Sequence, residues 1–127
     1  MMIKWLEKRN KISWIITLII AAAISYISTL TFPSSSYSGL GIKAILYHII
    51  AFFLFAIFLM ISLSRGKSKP LLIMAFFISL FYGVIDELHQ SFVPGRYASL
   101  NDFMLDSIGI VYALFIYMIS LIYRKDK

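Results

Sequence analysis

Four of the six acidic residues in this sequence lie close together, on either side of one short connector. They are Asp86, Glu87, Asp102 and Asp106, and each lies in or beside a long apolar segment. A carboxylate at the centre of a membrane-spanning helix costs about 2.5–3.5 kcal/mol, so the carboxylates that do occur there are candidates for function. A carboxylate can act as a general base, and an arginine such as Arg96 in the connector can bind phosphate through two parallel hydrogen bonds.

Three ionisable residues lie at similar depths in their apolar segments. At 1.5 Å per helical residue, Glu87 lies about 7.5 Å before the end of its segment and Asp106 about 7.5 Å after the start of the next. His48 lies about 9 Å after the start of an earlier segment. We therefore predict that three helices bring these side chains to one level, as candidate catalytic residues. The candidate ligand-binding residues are Arg96, Gln90 and Asp102.

Small residues share helical faces with these polar groups. In the segment that contains Glu87, small residues precede it at intervals of four, and similar stripes accompany Asp106 and His48. Small residues at this spacing mark close packing of membrane helices, so we expect the polar groups to point into a helical bundle. The stripes contain Ala75, Ser79 and Gly83, then Asp102, Gly109 and Ala113, and finally Ala44 and Ala51.

Four long apolar runs dominate the sequence and carry these residues or flank them. Of the 127 residues, 61% are hydrophobic and 14% are charged, whereas soluble domains are nearer half and a quarter. About 20 apolar residues suffice to cross the roughly 30 Å of hydrocarbon in a bilayer. We predict an all-α membrane protein, a four-transmembrane-helix bundle, with one domain over residues 1–127. The expected spans are residues 12–32, 42–64, 70–92 and 101–123, and residues 33–39 form a connector rich in Ser, Pro and Gly.

The basic residues indicate the direction of the spans. Ten of the twelve Lys and Arg residues lie at the two ends and in the middle connector, and only Lys43 and Arg96 lie on the other side. The positive-inside rule therefore predicts that both termini lie in the cytoplasm. The net charge of +6 indicates contact with anionic lipid rather than with nucleic acid. No cysteine is present, which excludes disulfides, and no cofactor motif is apparent.

Simpler interpretations compete for single residues. His48 alone is typical of a hydrogen-bonding residue between helices. Asp102 alone is typical of a helix N-cap or of an acid in the first helical turn, where the helix dipole favours it. Arg96 alone is also consistent with an exposed loop residue.

The stretch from Tyr82 to Arg96, with its continuations Ser99-Leu-Asn-Asp102 and Asp106-Ser-Ile-Gly109, resembles the VanZ-like family of bacterial membrane proteins. The family has an upstream histidine after an Asp-Lys pair, and here Ile42 stands where that Asp would be. Residues that match the family's polar pattern are His48, Glu87, Gln90, Arg96, Asp102, Asp106 and Gly109.

The resemblance implies a four-helix protein of the bacterial cell membrane. The family's namesake is linked to low-level resistance to the glycopeptide antibiotic teicoplanin. The resemblance names no biochemical activity, so the first hypothesis comes from the residues themselves. Arg96 would bind a lipid-linked anion, such as a cell-wall intermediate, at the outer leaflet. In a catalytic version Glu87 or His48 is the general base, and whether the protein is an enzyme or a binding protein stays open.

Two alternatives remain. In the second hypothesis the polar residues form a structural network that holds the bundle together and is presented to an unknown protein partner, with Arg96 paired to Asp102 or Glu87. In the third, His48, Glu87 and Asp106 hold a divalent cation or relay a proton, since imidazole and carboxylate ligands suit several metals.

Overall fold

Five helices make up the part of the chain that the computed structural model describes, residues 2–31 and 41–125. Four of them are long and apolar enough to cross a membrane, which confirms the prediction of an all-α membrane protein with four spans. Residue 32 of the first predicted span and the connector at residues 33–39 lie outside the described residues. The helices are α1 (Met2–Lys8), α2 (Asn10–Thr29), α3 (Ile42–Ser64), α4 (Lys69–Ser91) and α5 (Leu100–Lys125).

Helix α1 was not anticipated, because the sequence before residue 12 read only as a basic flank. It packs against α2 and α3 and buries Leu6 and Glu7. The break between α1 and α2 falls at Arg9, whose backbone is not helical. Arg9 lies over the ring of Trp5 at 5.0 Å, an arrangement in which the cation is attracted to the aromatic face.

The turn between α3 and α4 is tight because two successive residues have a left-handed backbone conformation. Arg65 ends α3 with φ of 52°, and Gly66 follows with φ of 68°. Ser68 then begins α4, and its hydroxyl accepts a hydrogen bond from the Leu71 amide at 3.3 Å. Pro70 lies in the first turn of α4, where the missing amide hydrogen costs nothing.

Helix α3 is the centre of the bundle and packs against each of the other four helices. Phe52, Ala56 and Met60 on this helix are completely buried. By contrast, the outer faces of the other spans expose large apolar side chains, such as Leu18 on α2 and Phe81 on α4, which are 63% and 65% exposed. Lipid would cover these faces, so the bundle is apolar outside and partly polar inside.

Helix α5 crosses α3 in close backbone contact at Gly109. A Cβ built on Gly109 would overlap the carbonyl oxygen of Ile49 and lie 3.0 Å from the amide nitrogen of Phe53. Gly83 on α4 is looser, since its Cβ would meet only aromatic rings, at 3.4 Å or more. Both glycines face inward as the stripes predicted, but only Gly109 is required for contact between backbones.

Candidate functional site at the α3–α4–α5 end

Three buried ionisable residues meet at the end of the bundle where α3 and α5 begin and α4 ends. We call His48, Glu87 and Asp106 the acid–histidine cluster. One possible ligand atom from each residue lies within 4.8 Å of those from the other two. The exposed fractions are 4% for His48, 6% for Glu87 and 0% for Asp106. Three helices thus bring to one place the three residues that the spacing predicted at one depth.

Asp106 fixes the ring of His48. Its Oδ1 lies 2.8 Å from Nδ1 of His48, which is hydrogen-bonding distance. The opposite ring nitrogen, Nε2, lies 3.9 Å from Oδ2 of Asp102, which is too far for a hydrogen bond, and the carboxylate attracts the ring only when His48 is protonated. An ionised Asp106 accepts the hydrogen on Nδ1, and this tautomer leaves Nε2 as a proton acceptor.

Glu87 joins α4 to the start of α5. Its Oε2 accepts a hydrogen bond from the backbone amide of Ser99 at 2.7 Å. The hydroxyl of Ser99 in turn accepts a hydrogen bond from the Asp102 amide at 3.2 Å. Ser99 is therefore the N-cap of α5, a role that was one of the two suggested for Asp102 from the sequence. Asp102 is the acid in the first turn of α5, which is the other position suggested for it.

Two carboxylate oxygens of the acid–histidine cluster are buried and accept no hydrogen bond from the described residues. They are Oε1 of Glu87 and Oδ2 of Asp106. The hydroxyl of Tyr47 is also buried and has no hydrogen-bond partner among the described residues. A buried polar atom without a partner costs about 1–3 kcal/mol, and native proteins have few of them. Each of these oxygens can still accept a hydrogen bond, and the two carboxylate oxygens could also bind a cation.

Arg96 belongs to a second set of contacts, which we call the Asp86 chain. Asp86 accepts hydrogen bonds from Ser28 at 2.5 Å and from the side-chain amide of Gln90 at 2.8 Å. Gln90 Oε1 accepts a hydrogen bond from Arg96 at 2.8 Å. Arg96 also donates to the backbone carbonyl of Leu30 at 3.2 Å. The chain therefore connects α2, α4 and the loop that leads to α5.

Ser28 is the site residue that the sequence did not predict, and Asp86 was named among the clustered carboxylates but was given no role. The spacing of Asp86 and Gln90 was a usable signal, since residues four apart share a face of a helix. Ser28 offered no signal, because a serine in an apolar helix often bonds only to its own backbone. Across the whole site, the carboxyl groups of Asp86, Glu87, Asp102 and Asp106 outnumber the basic groups, so the local charge favours donors and cations.

The chain is a multi-pass membrane protein with a buried, ionisable cluster toward one end of its helical bundle. The chain belongs to the VanZ/LLP1 family, whose pattern matches residues 2–122. A search among curated proteins and a search among solved structures each gave no significant match.

Proposed function

We propose that this protein works in the bacterial cell envelope, with both termini in the cytoplasm, and acts on a lipid-linked anion at the outer leaflet. Arg96 binds the anionic group, and the acid–histidine cluster, whose carboxylates would repel an anion, takes a hydroxyl group or a water beside it. The observation that carries the proposal is the pair of buried carboxylate oxygens without partners, on Glu87 and Asp106. Unpaired acceptors at this depth are costly for folding alone. A hydroxyl group of a ligand or an attacking water would satisfy them by donating hydrogen bonds.

His48 is the general base in this proposal. With Nδ1 held by Asp106 at 2.8 Å, Nε2 can take a proton from a water or hydroxyl as it attacks. Asp102, 3.9 Å from Nε2, stabilises the imidazolium that forms. The proton moves to Nε2 as the oxygen forms a new bond to the phosphorus or carbonyl carbon of the ligand. The bond from that centre to its leaving oxygen then breaks, and the imidazolium returns the proton to the leaving oxygen. The reaction class is hydrolysis or group transfer.

Arg96 is the anion-binding residue. Hydrogen bonds to Gln90 and to the Leu30 carbonyl hold its guanidinium at the half-buried rim above the acids. A guanidinium held in one orientation binds phosphate with less loss of conformational freedom than a mobile one. Glu87 holds the same loop through Ser99, so the loop that carries Arg96 is tied directly to the acid–histidine cluster.

A divalent cation site is the second candidate. Three ligand atoms about 2.1 Å from one cation lie about 3.4 Å apart in tetrahedral geometry, so the atoms that now lie within 4.8 Å of one another need to move inward by less than about 1 Å each. The unpaired oxygens of Glu87 and Asp106 support this candidate as well. One nitrogen and two carboxylates would suit Zn²⁺ or Mn²⁺.

Complementation of a teicoplanin-susceptible strain tests the proposal, because teicoplanin resistance is the phenotype that the resemblance to the VanZ-like family implies. Glu87→Gln removes a charge and keeps the shape, whereas Arg96→Lys keeps the charge and loses the planar fork. We expect both variants to accumulate in the membrane and to lose the phenotype. Matched controls are His89→Gln, at the same end of the bundle, and Arg9→Lys, at the other end, and both should keep it.

The level of folded protein separates the proposal from a purely structural network. If the phenotype falls only in step with folded protein, the polar residues serve stability and the proposal fails. Full activity in a well-folded Glu87→Gln variant would also contradict it. Stoichiometric metal in protein purified without chelator would favour the cation site, and its loss in Asp106→Asn would assign the ligands.

A further inference from the structure

A cavity of about 720 Å³ lies at the opposite end of the bundle, where α1, the α3–α4 turn and the end of α5 meet. Its lining is strongly basic, and Glu7 is the one acid among the lining residues. Two leucines, Leu72 on α4 and Leu121 on α5, add an apolar part to the wall. The basic residues of this lining, which we call the basic pocket, are Lys4, Lys8, Arg65, Lys67, Lys69 and Arg124.

The one acid in the basic pocket is already neutralised. Glu7 is 8% exposed, and both of its oxygens accept hydrogen bonds from Arg124, at 2.7 and 3.0 Å. The hydroxyl of Tyr117 donates to the same carboxylate at 2.8 Å. Within residues 2–31 and 41–125, Arg124 is the only basic residue of the pocket in an ion pair with a carboxylate. Five positive charges therefore face the cavity uncompensated.

The Glu7 contacts also fix the shape of the basic pocket. Gly66, in the turn that carries Arg65 and Lys67, donates its amide hydrogen to the Tyr117 hydroxyl at 2.9 Å. A Cβ on Gly66 would lie 2.9 Å from both carboxylate oxygens of Glu7, so the turn rests directly on this buried ion pair. The positive end of the α4 dipole, at Ser68, adds to the potential in the cavity.

We propose that the basic pocket binds the phosphate of an anionic phospholipid headgroup. The pocket lies at the ends of the membrane spans, where phosphates of the bilayer lie, and its leucines can contact the glycerol and the first acyl carbons. Trp5 on α1 is 47% exposed and stacks with Arg9, as is typical of a side chain at the headgroup level. This site is separate from the acid–histidine cluster and does not rest on the proposed function.

Native mass spectrometry of the delipidated protein in mixed micelles tests the proposal. Phosphatidylglycerol and phosphatidylcholine are each titrated, and bound lipids are counted. The test variant Lys67→Gln/Lys69→Gln removes two charges from the pocket, and the control Lys11→Gln/Lys43→Gln removes two exposed charges from outside it. Inorganic phosphate is titrated separately, to distinguish a lipid headgroup from a soluble phosphate.

We expect one phosphatidylglycerol per chain, bound in preference to phosphatidylcholine. Each basic residue near an anionic surface contributes a factor of about five in affinity, so the test variant should bind about 25-fold more weakly at low salt. The control should stay within about twofold of the parent, because its lysines lie outside the pocket.

Three results would overturn this inference. Equal binding of the two lipids would show that headgroup charge is not recognised. An equal loss in the control would show diffuse attraction rather than a pocket. Binding of inorganic phosphate without lipid, at the affinity of phosphatidylglycerol, would assign the pocket to a soluble ligand. The substituted lysines are exposed, so the unfolding temperature of the test variant in detergent should match that of the parent. If the test variant unfolds at a lower temperature, Lys4→Gln/Lys8→Gln, which also removes two charges from the pocket, takes its place.

Discussion

The crossing of α3 and α5 allows a sharp prediction, because it depends on a missing side chain. In Gly109→Ala the added methyl group overlaps the Ile49 carbonyl oxygen and crowds the Phe53 amide at 3.0 Å. Both neighbours are backbone atoms, which cannot rotate away. Since an ordinary C···O contact is about 3.3 Å, the helices must separate by roughly 1 Å.

The cost can be worked out from this geometry. Overpacking in a tight interior costs about 1–3 kcal/mol, and a clash with backbone belongs at the upper end. Alanine is favoured over glycine in a helix by about 1 kcal/mol, so we expect Gly109→Ala to lower the free energy of unfolding by about 2 kcal/mol. The separation also lengthens the His48–Asp106 contact, which joins the same two helices.

Gly83→Ala is the matched control, because its Cβ meets only the rings of Phe103 and Phe52, at 3.4 and 3.5 Å. Gly83→Ala gains the same helix propensity as Gly109→Ala, so its free energy of unfolding should equal that of the parent or exceed it by up to about 1 kcal/mol. Unfolding titrations of both variants in mixed detergent micelles measure the difference, expected to be about 2–3 kcal/mol. Equal stabilities, or a less stable Gly83→Ala, would refute the assignment of Gly109 to a backbone-to-backbone crossing.

Further predictions concern the direction of the chain and its buried tyrosine. Because the protein has no cysteine, a single cysteine introduced by Ser36→Cys or by Lys127→Cys can be labelled alone. We expect Ser36→Cys to react with an impermeant thiol reagent from outside the cell and Lys127→Cys to react only after lysis. The reverse pattern would overturn the proposed topology. Tyr117→Phe removes the hydroxyl that donates to Glu7 and should lower the free energy of unfolding by about 1–3 kcal/mol. Tyr112→Phe, at a side chain that is 55% exposed, should change it by less than about 0.5 kcal/mol; similar losses in the two variants would show that the Tyr117 hydroxyl is not a specific support.

The spans and the level of the acid–histidine cluster were predictable because both follow from local regularities. Long apolar runs define spans, and a rise of 1.5 Å per residue converts position along a helix into depth. The inward direction of Glu87 followed from the small residues at intervals of four before it. These rules concern one helix at a time and require no knowledge of how the helices pair.

Contacts between distant parts of the chain were not predictable in the same way. The ion pair of Glu7 with Arg124 joins residues 117 positions apart, and no periodic pattern marks either partner. The network hypothesis paired Arg96 with Asp102 or Glu87, yet two of its hydrogen bonds go to the Gln90 side chain and to the Leu30 carbonyl. A backbone carbonyl as partner is invisible in a sequence, because every residue has one.

In the function that we propose, the polar end of the bundle takes a lipid-linked anion through Arg96. Native mass spectrometry of protein released from bacterial membranes can detect such a lipid on the protein. We predict a polyprenyl lipid bearing phosphate on the parent protein and on Arg9→Lys, and its loss from an equally folded Arg96→Lys variant. If the parent carries no such lipid, or if Arg96→Lys retains as much of it as the parent does, the claim is wrong.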